Sequence, residues 1–201
     1  MHYDYVDIGT CDFDTSLDKI DGSNKLNILL VEPIAYYLDK LPNYPNVIKD
    51  NIGISNENKK IKLHYLPEDV IASHNLPFYL RGCSSTEDRH PTIDLHLMEN
   101  HLSLELVETV EIDVITFNTL CEKHQIESIG SLKIDTEGHE QYIVPSVLEK
   151  VKQGFIINKI KFENQEFLGN RLLLNQLRDQ FVQLGYTLIE QTEIDTVLEK
   201  Y

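Results

Sequence analysis

Asn27-Ile28-Leu29-Leu30-Val31-Glu32-Pro33 is the stretch on which the fold turns. Its aliphatic core is unbroken and does not alternate, the pattern of a strand buried on both faces of a parallel sheet. A carboxylate closes it. Pro33 then predicts a helix through Leu41, since proline suits a first helical position. The same pattern recurs on either side. Tyr3 to Ile8 reads as a strand broken at Gly9, and Gly130-Ser131-Leu132-Lys133-Ile134-Asp135 reads as a buried strand ending in a second carboxylate. Val47 to Ile54 is the third strand, and Ile156 to Phe162 another. Ile61 to Leu66 alternates and belongs in an antiparallel or edge position, while Leu102 to Ile115 alternates as one or two strands. Helices fall at Thr15 to Ile20, Phe117 to His124, Glu140 to Lys152 with Pro145 in its first turns, and Leu172 to Leu184. Tyr186 to Glu190 and Thr196 to Leu198 close the chain as strands. Such alternation predicts an α/β fold, a mostly parallel sheet with helices on both faces. Residues 67–101, rich in proline and histidine, read as a loop-rich insertion, and an irregular stretch of that length is generally functional.

The chain has 201 residues, the size of one domain spanning residues 1–201, with 41% hydrophobic and 25% charged residues. Its net charge of −15 opposes non-specific binding to nucleic acid, although charge alone does not exclude a local basic patch. No apolar run reaches membrane-spanning length, and Met1-His2-Tyr3-Asp4-Tyr5 lacks the basic and apolar regions of a signal peptide. The three cysteines, Cys11, Cys83 and Cys121, are odd in number and form no CxxC pair. They read as free thiols in a reducing cytoplasm, and no histidine stands at zinc-ligand spacing from them, so no metal is expected.

Ligands of open parallel sheets bind at the carboxyl ends of the strands. The first of these ends reads Asp7-Ile8-Gly9-Thr10-Cys11-Asp12. Gly9 permits a tight turn against a ligand with Asp7 beneath it. The positions where GxGxxG needs two further glycines hold Cys11 and Asp14, and Asp12 and Asp14 would repel a pyrophosphate. S-adenosylmethionine (SAM), which carries a sulfonium and an ammonium and no phosphate, is not repelled. Glu32, closing the second strand, can accept both ribose hydroxyls of an adenosine. Ser55-Asn56 suits either an adenine edge or simple turn chemistry.

Ser131-Leu132-Lys133-Ile134-Asp135-Thr136-Glu137-Gly138-His139-Glu140 resembles the LKIDxEGxE signature of FkbM-family methyltransferases. Asp7-Ile8-Gly9-Thr10 is similar to that family's first SAM motif and Val31-Glu32-Pro33 to its second. Val114 to Leu120 and Leu184-Gly185-Tyr186 also fit. The resemblance implies the class I methyltransferase (Rossmann-like) fold with a seven-stranded sheet, SAM as cofactor, and O-methylation of a sugar, glycan or small metabolite. It departs in two places. Phe13 stands where a fourth-residue glycine is expected after Gly9, so the first loop must take another path. The chain also starts almost at the first strand, which leaves a stripped-down enzyme, a fragment, or a domain completed by a second copy in a homo-oligomer.

These motifs give the candidate site. Asp7, Gly9, Thr10, Glu32, Pro33, Ser55 and Asp135 are the expected cofactor contacts. Asp135, Glu137 and His139 are the catalytic candidates, with His139, its pKa near neutrality, the best titrating base nearby. Glu137 and Glu140 alternatively cap the helix that follows, favoured by its dipole. In the insertion, Arg81, Ser84 and His90 combine a cation, a hydroxyl and an imidazole fit to orient a sugar or an anionic acceptor. The alternative reading of the whole chain is a catalytically inactive SAM-binding partner or regulatory subunit. A nicotinamide-binding protein is disfavoured by the missing glycines, and a nucleic-acid methyltransferase by the acidic composition.

Overall fold

The computed structural model describes residues 1–12, 25–164 and 169–201. The predicted Thr15–Ile20 helix, Phe13 and Asp14 lie outside the described residues. In chain order the first strands are β1 (His2–Ile8), β2 (Ile28–Val31), β3 (Val47–Asp50), β4 (Gly53–Ser55) and β5 (Lys59–Tyr65). They are followed by β6 (Glu108–Thr116), β7 (Ser128–Ile134), β8 (Ile156–Glu163), β9 (Thr187–Gln191) and β10 (Asp195–Glu199). The helices are α1 (Ala35–Lys40), α2 (Glu68–Ser73), α3 (Pro91–Glu99), α4 (Phe117–Lys123), α5 (Glu140–Lys152) and α6 (Arg171–Gln183).

Seven strands form the main sheet in the order β3-β2-β1-β7-β8-β10-β9. The first five run parallel, and β10 is antiparallel to both β8 and β9. This is the seven-stranded, mostly parallel Rossmann-like arrangement that the resemblance implies. All four residues of β2 are buried, because helices cover both faces. Leu29 and Val31 join the core cluster built with Phe117 and Leu120 of α4, Val144 and Leu148 of α5, and Leu177 and Phe181 of α6. Ile28 and Leu30 face the other way, against Leu38 and Leu41 at α1.

Two expectations require correction. The single strand predicted from Val47 to Ile54 is two strands in different sheets. β3 ends at Asp50, whose carboxylate is gripped by Lys123 Nζ and His124 Nε2 of the α4 end, both at 2.7 Å. Asn51 then donates its amide to the carbonyls of Glu32 and Pro33 at 2.9 and 2.8 Å, which turns the chain. β4 leaves to join a second sheet of three strands, β4-β6-β5, with β4 parallel and β5 antiparallel to β6. The alternation of β5 does mark an antiparallel edge strand, as predicted.

The insertion, in turn, is helical where a loop was expected. It holds α2, a 3-10 turn at Phe78–Arg81 and α3, folded around its own cluster of Leu66, Ile71, Leu80, Ile93 and Leu97. Pro67 and Pro77 cap the first two of these and Pro91 opens α3. These prolines start helices.

Candidate functional site

The chain leaves β1 towards β2 and β3 on one side of the sheet and returns to β7 and β8 on the other. The carboxyl ends of β1 and β7 therefore flank the point where strand order reverses, the usual place for a ligand in such sheets. Gly9 sits there with φ +79°, and a Cβ on it would lie 1.8 Å from the Asp135 carbonyl oxygen. The glycine read from the sequence is thus a requirement of backbone packing between the two strand ends.

An open cleft of about 600 Å³ lies above this junction. Its lining includes Gly9, Cys11, Glu32 and Pro33 and, beside them, Asp135, Glu137 and His139. An apolar wall comes from the small sheet: Ile54, Ile61, Leu63, Ile112 and Val114. The sequence reading missed that wall. Its signal was present in the alternation of Ile61 and Leu63 with the lysines of β5, but alternation does not say what an apolar face meets. An adjoining cleft shares Gly9, Cys11, Gly82, Asp135 and Glu137 and adds Tyr79 and Cys83. The two chambers meet where Gly9, Asp135 and Glu137 come together.

Glu32 is buried, and its two oxygens accept the Cys11 and Ile34 amides at 3.0 and 2.9 Å. Burial pushes its pKa up to about 7, with Asp7 and Asp12 adding to the rise and the two amides opposing it. Asp7 is wholly buried beneath the cleft and is absent from its walls. The Tyr5 hydroxyl donates to it at 2.9 Å, and Lys133 Nζ stands 3.9 Å from Asp7 and 3.2 Å from Asp135. Thr10 is likewise buried and off the wall, and its hydroxyl has no hydrogen-bond partner among the described residues.

Ser55, read either for an adenine edge or for turn chemistry, faces His139. Its Oγ lies 2.9 Å from His139 Nε2, while His139 Nδ1 lies 2.7 Å from Thr86 Oγ1 of the insertion. His139 is buried between them, stacked against Tyr142, and burial lowers its pKa to about 4, helped by Lys59. The expected base with a pKa near neutrality is corrected on this point. His139 is a neutral bridge between the small sheet and the insertion.

The remaining carboxylates separate by role. Glu140 reaches back from α5, its Oε1 accepting the Thr136 amide and hydroxyl and its Oε2 the Gly138 amide at 2.9 Å. It is the capping residue of this turn, and burial raises its pKa to about 7. Glu137 is not a cap. It sits at φ +52°, uncommon for a residue with a side chain, and its Oε2 lies 2.9 Å from His90 Nε2. Arg81, expected to help orient a sugar or an anionic acceptor, is already paired, with Nε 3.2 Å from Asp12 and an Nη 3.3 Å from Glu68. Ser84 lines the main cleft.

The residues present fit SAM. The apolar wall suits an adenine, the Glu32 carboxylate a ribose diol, and Asp135 and Glu137 a sulfonium. Metals fit less well. Asp135, Glu140 and Glu163 come within ion-binding reach, as do Cys83, His90 and Glu137. Yet Glu140 is occupied by the Thr136 and Gly138 amides and Asp135 by Lys133, and His90 Nδ1 accepts the Thr92 amide at 3.1 Å. No helix among the described residues is long and apolar enough to cross a membrane.

The family model described as the methyltransferase FkbM domain matches residues 7–188. No curated protein and no solved structure matches the chain.

Proposed function

This chain belongs to the FkbM methyltransferase domain family, and on that premise we propose that it is a SAM-dependent O-methyltransferase acting on a hydroxyl of a sugar, glycan or small metabolite. One observation carries the reading: two chambers joined at Gly9, Asp135 and Glu137, one with an apolar wall and Glu32, the other lined by Tyr79, Gly82 and Cys83. Bound SAM would supply an electrophilic methyl group on a sulfonium. The cofactor contacts are Glu32 for the ribose hydroxyls, Gly9 and Pro33 for close approach, and Ile54 with its neighbours for the base. Asp135, 3.2 Å from Lys133 Nζ, faces the cation. Positioning the acceptor oxygen about 3–3.5 Å from the methyl carbon supplies much of the acceleration. Glu137, at the mouth of the second chamber, takes the hydroxyl proton, a role worth about 10²–10⁴-fold.

Because Arg81 is neutralised and carboxylates surround the junction, the acceptor is uncharged, with no phosphate or carboxylate near the methylated oxygen. Three buried free cysteines agree with a reducing cytoplasm. The test is incubation with SAM and a panel of neutral sugars and hydroxylated metabolites, read by mass spectrometry for the gain of about one CH₂. Thermal shifts with SAM and NADH run alongside. A shift with SAM alone and a methylated product support the reading; binding without turnover on any acceptor favours the regulatory alternative, and an equal shift with NADH defeats it.

A further inference from the structure

We infer that His90 is a positioning residue for Glu137: one buried imidazole nitrogen, whose hydrogen is fixed by a helix cap, aims and holds that carboxylate where the two chambers meet. The inference rests on the methyl-transfer reading above and adds a residue that acts on Glu137, where the sequence suggested one that touches the acceptor.

The tautomer follows from the cap. His90 precedes α3 and its Nδ1 accepts the backbone N–H of Thr92 at 3.1 Å. A backbone amide only donates, so Nδ1 presents its lone pair. A ring hydrogen on Nδ1, in the other neutral tautomer or in the imidazolium, would set two N–H groups against each other. The single hydrogen therefore lies on Nε2, which points at Glu137 Oε2 across 2.9 Å. His90 is 3% exposed, so water does not compete for this bond. Both ring nitrogens are engaged, which leaves neither for an acceptor or a metal ion.

Glu137 needs such a partner. Its left-handed φ of +52° and the +98° of Gly138 make a tight turn that throws the side chain out of β7's register. The partner comes from an insertion 47 positions away in sequence. With Oε2 held, Oε1 makes no hydrogen bond among the described residues, and Glu137 lines both chambers. A carboxylate that takes a proton must lie within hydrogen-bond reach of it, and a misplacement of about 1 Å costs on the order of 10²-fold.

Two substitutions separate positioning from capping. His90→Asn keeps an oxygen that can accept the Thr92 amide, as asparagine does at helix starts, but is too short to reach Glu137. His90→Gln can return a donor to Glu137 and caps less well. The expected result is a fall in kcat of about 10²-fold in His90→Asn, with SAM affinity, acceptor KM and melting temperature near wild type. His90→Gln should recover most of the kcat despite a lower melting temperature. Independently of activity, ¹⁵N NMR of the ligand-free protein should show Nδ1 as the lone-pair nitrogen and Nε2 as the N–H nitrogen. The opposite tautomer overturns the proposal, as does wild-type kcat in His90→Asn, or a kcat in both variants that tracks stability alone. If the wild type methylates nothing, the methyl-transfer reading fails, and positioning for that reaction falls with it. The NMR result then separates a surviving His90–Glu137 bond from one that never formed.

Discussion

Glu32 gives the sharpest quantitative test, because its ionisation lies in an accessible range. Burial places its pKa at about 7, against an ordinary value of 4.5. Both its oxygens already accept amides from Cys11 and Ile34. Only the ionised form has lone pairs left for two ribose hydroxyls; a proton on either oxygen must itself be placed. Binding of an adenosine ligand should therefore select the carboxylate. At pH 6 about one Glu32 in eleven is ionised, and at pH 8 about ten in eleven, so affinity should rise about 10-fold, or about 1.4 kcal/mol, across that range. 5′-Methylthioadenosine is the proper probe: it keeps the adenine and ribose and lacks the amino-acid end of SAM, whose ammonium titrates nearby. Calorimetry at pH 6, 7 and 8, in buffers of different ionisation enthalpy, reads both the affinity and the proton released on binding. Glu32→Gln should lower affinity and abolish the pH dependence. Glu140 also titrates at about 7, yet it is no part of the cleft lining that Glu32 belongs to, so Glu140→Gln should leave the dependence intact. A flat affinity from pH 6 to 8, or a slope that survives in Glu32→Gln, would refute the reasoning.

Gly9→Ala should lower stability by about 2–4 kcal/mol, or about 4–16 °C in melting temperature, since its methyl group would overlap the Asp135 carbonyl at a left-handed φ. Circular dichroism melts check it, and a wild-type melt would mean the strand ends separate freely. Glu140's pKa is raised in the fold, so the stability it contributes is fully present below pH 4.5 and is lost as pH rises through about 7. Melts between those values should accordingly decline less steeply in Glu140→Gln. Burial pushes the thiols of Cys83 and Cys121 up to about 12 and 11 and that of Cys11 higher, so all three should resist alkylation in native protein at pH 8 and react once it is unfolded.

How much of this was legible beforehand depended on whether the information was local. The unbroken run at Ile28–Val31 meant burial on both faces, and the structure buries it between α1 and α4–α6. Gly9, Glu32 and Asp135 mark strand ends, which position in sequence locates directly. Val47 to Ile54 misled because apolar continuity does not register a change of sheet. What separates β3 from β4 is the Asp50 clamp, made by Lys123 and His124 more than seventy residues later. Arg81 and His139 misled for the same reason. A cation is available only if no carboxylate has claimed it, and an imidazole titrates near neutrality only if water reaches it. Asp12 and Glu68 decide the first, and Ser55, Thr86 and Tyr142 the second. All but Tyr142 stand more than ten positions along the chain from the residue they control.

The partners that overturn those local readings join the insertion to the rest of the site. The insertion has its own apolar cluster around Leu66, Leu80 and Ile93, separate from the core under the main sheet. Polar contacts carry it onto the cleft: His90 to Glu137, Thr86 to His139, Arg81 to Asp12, and the Tyr37 hydroxyl to the Arg81 carbonyl at 2.8 Å. Hydrogen bonds of this kind contribute about 0.5–1.5 kcal/mol each and are directional. They therefore fix the orientation of side chains more firmly than they glue the two bodies together. The turn at Gly9, packed against the residue that follows β7, has no such latitude. Sequence change in the insertion can thus reshape the chamber lined by Tyr79, Gly82 and Cys83 at small cost to stability, provided the His90 and Thr86 contacts persist.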